Sequence, residues 1–388
     1  MEEPAHQTAS FSIARGGPYF SAMERLGLAR HGRLHRKSRA LLLVTIAWLV
    51  PLVLAAAAGN AIHVDGAYLS DVGVWAKFLI AIGLFTIAEQ GIDRKLAFCV
   101  SQLFSVPLIP AQSSAAGNEA ITRAVARRDG PVAEAVCLLL AIVFSVMNYA
   151  NIFHQHQTSW ALDAGGENRL LTLAGWWTLC ISNTVFWFLL LRIFWWHANW
   201  TLLMRDLAKL PLRLVATHPD GYGGIGFVND YPNGYVYFNI GISSVVAAAL
   251  ARETSINVSV FGIIAGLWLA MALLFFAIPL FWFARRLTRL KRLTLYAASA
   301  AATEFERQVE RKLFGHNLFP DSDEDGGPDI ASDPARFYAA SKKRPSMIAA
   351  RTTLIPIIAA TLAPIAAVGI TEFPFSQLVP VIKRLLFL

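Results

Sequence analysis

Seven stretches of about 20 apolar residues constrain this chain more than anything else in it. A helix rising 1.5 Å per residue needs about that many to cross the roughly 30 Å hydrocarbon core of a bilayer. The stretches are Ala40–Gly59, Val72–Ala88, Val132–Ile152, Leu170–Trp196, Tyr235–Ala251, Ile256–Phe283 and Met347–Ile370. Only 15% of the 388 residues are charged and 55% are hydrophobic, against about 25% charged in soluble domains. Disorder, collagen and a disulfide scaffold are excluded, since there are 3 Cys and no periodic glycine. The expected fold is all-α: a polytopic transmembrane helix bundle of about seven spans, with a cytoplasmic helical extension.

Charge placement orients the bundle. With the N-terminus in the cytoplasm, 27 Lys and Arg fall in segment 1–39 and in loops 92–131, 197–234 and 284–347. The opposite side holds 4, at Arg169, Arg252, Lys383 and Arg384. That asymmetry obeys the positive-inside rule. Lys77, Arg192 and Arg351 lie near span ends and are expected to snorkel toward water. The net charge of +8 therefore reflects topology, and no nucleic-acid partner is expected.

The chain divides into a cytoplasmic segment (1–39), six spans (40–283), a cytoplasmic helix with an acidic linker (284–346), and a last span with an amphipathic tail (347–388). The first apolar run is too long, and starts too far from Met1, for a signal peptide, so it reads as a retained span. Pro356 and Pro364 leave the seventh stretch open to two readings, a kinked span, which is preferred, or a re-entrant hairpin. Leu96–Ile109, too short to span, reads as a separate interfacial or buried helix, and Ala115–Arg128 as a surface helix. Leu287, Leu290, Thr294, Ala297, Ala301, Phe305 and Val309 mark an amphipathic helix that Gly315 ends. Asp321–Asp329 reads as a mobile linker. Trp195, Trp196 and Trp200 read as an aromatic belt.

Chemical signals are few. Cys99, Cys137 and Cys180 stand apart and read as buried, inert thiols. No metal or cofactor site is expected: His154 and His156 lack a third ligand. Asp321, Asp323, Asp325 and Gly326 begin an EF-hand pattern that Pro328 and Ser332 break. Glu89 and Asp93, four apart on one helix face, form a candidate polar cluster with Arg94. Its plainer reading is a solvated helix end with Arg94 as counter-ion. Within the spans the polar residues are the neutral Asn148, Ser182, Asn183 and Asn239, which disfavours a proton-driven pump. Gly262 and Gly266, with Ser243, Ala247 and Ala251, form small-residue faces suited to close helix packing or self-association.

The most distinctive string is THPDGYGGIGFV, Thr217–Val228. Its Gly221, Gly223 and Gly226 match G-x-G-x-x-G, but no strand precedes them and Val246 stands where an acid is needed, so dinucleotide binding is set aside. His218, Asp220, Gly223, Gly224 and Gly226 form a candidate gate or ligand loop. The plainer reading is a rigid turn, with Asp220 capping the N–H groups that follow and pairing with His218. The HPD-x-x-GG-x-GF string resembles a signature in a family of uncharacterised bacterial multispanning membrane proteins. Ala88–Lys95 (AEQGIDRK) and the leucine/lysine-rich tail extend the resemblance, which implies a bacterial inner membrane and no assigned activity. No nucleophile–base pair, H-E-x-x-H or kinase signature is present. The expected role is transport or channel activity gated at that loop. The alternative is a scaffold or signalling protein that presents 284–345 to a cytoplasmic partner.

Overall fold

The computed structural model describes residues 11–30, 33–34, 36–62, 66–106, 108–154, 160–162, 170–253, 257–319, 334–342, 351–374 and 376–377. His156, Asp163, Arg169, Asp321–Asp329 and the tail with Lys383 and Arg384 lie outside them, as do the side chains of His154 and Arg351. The fold is an all-α polytopic bundle, with seven helices among the described residues long and apolar enough to cross a membrane. A short helix, α1 (Gly17–Arg25), and a two-residue antiparallel hairpin, Ala29–Arg30 with Arg33–Leu34, lead in.

The spanning helices are α2 (Arg36–Ala57), α3 (Val72–Ser105), α5 (Pro131–His154), α6 (Leu173–Ala208), α7 (Val236–Arg252), α8 (Val258–Phe314) and α10 (Arg351–Glu372). Between them lie α4 (Ser114–Asp129), a 3-10 stretch (Gly226–Tyr235) that opens the α7 span, and α9 (Pro334–Lys342). The end of the bundle carrying α1, α4 and the α8 extension is called the basic face below, and the other the far face.

Among the described residues three spans contain a π-helical segment: Thr45–Leu49 in α2, Trp75–Ala81 in α3 and Thr178–Ser182 in α6. The first touches both of the others. The first lies just before Pro51, whose missing N–H disturbs the α ladder. Side chains satisfy carbonyls there: the Trp177 indole donates to Ile46 O at 2.9 Å, and the Tyr68 hydroxyl to Trp48 O at 2.9 Å.

Several expectations change. Leu96–Ser105 is not a separate helix but the continuation of α3. The helix around Ala115–Arg128 is only partly at the surface, because Ala120, Ile121 and Ala124 are buried and Asn199 donates to Ala124 O. Trp196 and Trp200 are core residues, 2% and 0% exposed, and form no belt. Cys99 and Cys137 are buried, whereas Cys180 is exposed.

The seventh span is one helix through both prolines. Asn239 ties it to α7, its amide donating to Ile357 O at 3.2 Å and Thr361 Oγ1 at 2.5 Å. Ser243 and Ala247 pack within the chain: Ser243 accepts from the Trp268 indole, and Ala247 sits with Ala265 and Ile365. The α8 extension ends at Gly315, in the left-handed region (φ 79°), with its N–H on Arg311 O.

Candidate functional site: two charged clusters on one helix pair

Helices α3 and α6 face each other and carry a charged group near each end. At the basic face, Glu89 receives Arg192 Nη1 on Oε1 at 2.8 Å and meets Arg39 Nη2 with Oε2 at 2.6 Å. Arg192 Nε reaches Glu134 at 3.1 Å. Arg39, Glu89 and Arg192 are each 1–2% exposed. The Arg192 guanidinium lies between the Tyr19 ring at 4.3 Å and the Trp196 ring at 4.4 Å, a cation–π sandwich that holds a desolvated charge. Two cations and two carboxylates make this cluster neutral. Its satisfaction is incomplete, however: Arg39 Nε and Nη1 have no hydrogen-bond partner among the described residues.

The N-terminal segment closes this face. Asp93 Oδ1 accepts from the Ser12 hydroxyl at 2.6 Å and from the N–H groups of Ile13 and Ala14, while Arg15 pairs with Oδ2 at 3.3 Å. Tyr19 N donates to Glu134 at 2.6 Å. Burial, with Glu89 behind it, pushes the Tyr19 phenol up against the opposing pull of Arg39 and Arg192. It therefore stays a neutral hydroxyl that accepts from Arg39 at 3.3 Å. The expected solvated end at Glu89 and Asp93 is thus corrected: both are buried. Arg94 is exposed, and their counter-ions are Arg39, Arg192 and Arg15.

At the far face, α3, α6 and α7 enclose a cavity of about 210 Å³. Its mouth carries Asp71, which caps α3 through Gly73 N at 2.9 Å, pairs with Arg252 and accepts from the Trp160 indole at 3.2 Å. Inside, Lys77 donates to Asn183 Oδ1 and faces the rings of Phe186 at 4.9 Å and Trp187 at 5.6 Å. Lys77 and Arg192 do not snorkel; both turn into the bundle. The spans are accordingly not poor in charge, as the neutral asparagines suggested.

Between the two clusters, the Phe85 ring packs on Phe186 at 5.8 Å and on Phe238 at 5.2 Å. A Cβ on Gly241 would stand 3.0 Å from the Phe85 ring, so that glycine lets α7 close over the plug. A second cavity, of about 380 Å³, lies among α8, α10 and the 3-10 stretch, with apolar walls including Leu273, Phe281 and Leu354.

Sequence reasoning brought Glu89 and Asp93 into view but missed Arg39, Glu134, Arg192 and Lys77. Depth was the available signal: counted from the span ends, Arg39, Glu89, Glu134 and Arg192 all come level near the basic face. His197, also missed, stacks on Phe275 at 3.7 Å, with Nε2 2.9 Å from Phe275 O. A carbonyl only accepts, so Nε2 carries the proton.

The loop of His218, Asp220, Gly223, Gly224 and Gly226 stands apart from both clusters. Asp220 accepts from the N–H groups of Tyr222 (2.8 Å), Gly224 (3.0 Å) and Gly226 (2.8 Å), and His218 Nδ1 lies 2.9 Å from Oδ1. Burial alone would raise the Asp220 carboxyl, but the N–H groups and His218 hold it below its usual range. Gly223 and Gly224 adopt φ of 71° and 99°. The nest that could cradle a phosphate is filled by the chain's own carboxylate. The adjoining space is about 20 Å³, room for one water.

Among the described residues no group of three or more His, Cys, Asp and Glu is placed to hold a metal. Comparison with protein-family models, curated proteins and solved structures finds no match.

Proposed function

We propose that the protein is a transporter, with a solute vestibule at the far face and a closed gate at the basic face. One observation carries this reading: polar groups recur along the facing helices α3 and α6, Lys77 with Asn183 and Glu89 with Arg192, on either side of an apolar stretch centred on the Phe85–Phe186–Phe238 plug. A purely structural core has no need of charge on both sides of such a plug, and intramembrane charge marks solute pathways. The unsatisfied Arg39 N–H groups fit a gate that must break and re-form. The gate is placed at this ion cluster. The His218–Asp220 loop serves as the rigid turn that ties α6 to α8, since Gly223 lies against Leu287 and Leu290.

Charge asymmetry supports a cytoplasmic basic face, and the resemblance of the HPD loop supports a bacterial inner membrane. Flux of ions and small solutes into liposomes holding the purified protein tests the reading. Glu89→Gln should alter flux strongly, and His218→Ala and Asp220→Asn more weakly. Folded protein that moves nothing refutes it.

A scaffold is the second reading. It is favoured by the α8 extension, where Leu293, Tyr296, Leu313 and Phe314 are exposed. Absence of flux, together with a stoichiometric partner bound through 284–345, supports the scaffold instead.

A further inference from the structure

We propose that the far-face cavity binds a small organic monoanion, a carboxylate held by Lys77 and Thr178. As a statement of substrate class this rests on the transport reading; as a binding site it does not need it.

The charge balance comes first. The cavity is lined by Lys77, Arg252 and Asp71 as its ionisable groups. Arg252 is neutralised by Asp71 at the mouth. Lys77 makes no ion pair among the described residues; its partners are Asn183 Oδ1 and ring faces. One positive charge is left over in the cavity, where an anion gains more than it would in bulk water.

A hydroxyl makes the second, independent observation. Thr178 lines the cavity, is 5% exposed, and its Oγ1 has no hydrogen-bond partner among the described residues. Thr86, Thr184 and Thr201, also within spans, all donate to the carbonyl four residues back, at 2.8–2.9 Å. Thr178 begins a π-helical segment and lacks that bond. A buried hydroxyl left without a partner is costly, and one that lines a cavity is resolved by a ligand acceptor.

Size and lining give the rest. About 210 Å³ equals about seven water volumes at ~30 Å³ each, more than a halide fills. Phe78, Trp160, Val245 and Ala248 offer apolar surface to an organic body. Asn148 and Asn183 add amide groups beside the carboxylate.

The test is calorimetric titration of benzoate into the detergent-purified full-length chain, free of anionic lipid, with chloride as comparison at constant ionic strength. Wild type should bind benzoate saturably at millimolar or lower concentration, and chloride far more weakly. Lys77→Met should weaken binding at least about tenfold and Thr178→Val about threefold, as expected for a lost charge-assisted and a lost neutral hydrogen bond. Lys77→Arg should keep most of it, so the test survives if Lys77→Met fails to fold.

No saturable benzoate binding by folded wild type overturns the proposal. So does full affinity in a folded Lys77→Met variant, or chloride binding as tight as benzoate. Displacement of benzoate by phosphatidylglycerol assigns the site to a lipid headgroup, which also overturns it. Benzoate binding without flux would keep the site and sink the transport reading; flux of another solute without benzoate binding would do the reverse.

Discussion

Removing the Glu89 carboxylate should destabilise the bundle far more than removing Glu89 together with Arg39. Glu89 contacts two guanidiniums, at 2.6 and 2.8 Å, and all three groups are 1–2% exposed. At an effective dielectric of 20, each pair is worth about 4 kcal/mol at ~4 Å between charge centres, most of it offset by desolvation. Glu89→Gln leaves two buried cations with Glu134 as the one remaining anion in the cluster. Breaking a buried pair from one side costs about 3–5 kcal/mol. The Arg39→Met, Glu89→Gln double variant leaves Arg192 with Glu134, a neutral pair, and should recover at least about 2 kcal/mol of that loss, a coupling expected of residues in contact. Thermal unfolding in detergent, followed by loss of the monodisperse peak, reads both. The single variant should melt on the order of 5–10 °C lower at about 2 °C per kcal/mol, with the double between it and wild type. A Glu89→Gln melting point within about 1 °C of wild type, or a double variant no better than the single, would show that the cluster is solvated and refute the reasoning.

The Asp220 carboxyl is held low by the loop, so its contribution is fully present above the unfolded value near ~3.9 and lost as pH falls through the lower folded value. Protection of the Tyr222, Gly224 and Gly226 amides in hydrogen exchange should persist down to about pH 4 and be lost in Asp220→Asn already at neutral pH. A Cβ on Gly234 would stand 3.0 Å from Gly91 O and 3.1 Å from Ile92 Cα. Because these neighbours are backbone, Gly234→Ala should cost about 1–3 kcal/mol by overpacking; an unshifted unfolding midpoint would contradict that contact. Asn239→Leu removes the amide that joins α7 to α10 and should cost about 0.6–1.7 kcal/mol, the range for hydrogen bonds between membrane helices, measured by the same unfolding assay.

The spans were legible because length and hydropathy decide them before any packing does. The Asp220 turn was legible for a similar reason: a short carboxylate followed by glycines meets its donors within six residues. The ion cluster was not. Arg192 meets Glu89 and Glu134 across 103 and 58 residues, and no local pattern separates an arginine that snorkels from one that turns inward. AEQGIDRK resembled a helix end because four charges interrupt an apolar run. Glu89 and Asp93 are matched instead by cations from α2, α6 and the N-terminal segment, so the helix had no reason to stop.

The π segment in α3 explains how one helix aims both charged groups at α6. Lys77 and Glu89 are 12 positions apart, which in an unbroken α-helix at 3.6 residues per turn sets them about 120° apart. A π bulge inserts one residue into a turn; Lys77 stands inside the segment Trp75–Ala81, so part of that extra residue falls between it and Glu89 and brings the offset below about 120°. Both residues do meet α6, at Asn183 and Arg192. Deleting Ile80, an exposed residue inside the segment Trp75–Ala81, should therefore convert the bulge to plain α-helix and leave the Glu89 cluster in register. Deleting Ile87, in the α-helical stretch, should rotate Glu89 by about 100° relative to the Phe85 plug and unfold the basic face. The comparison is matched in residue type and helix, and melting of the two purified variants decides it. Equal loss of stability would mean that the π segment sets no register.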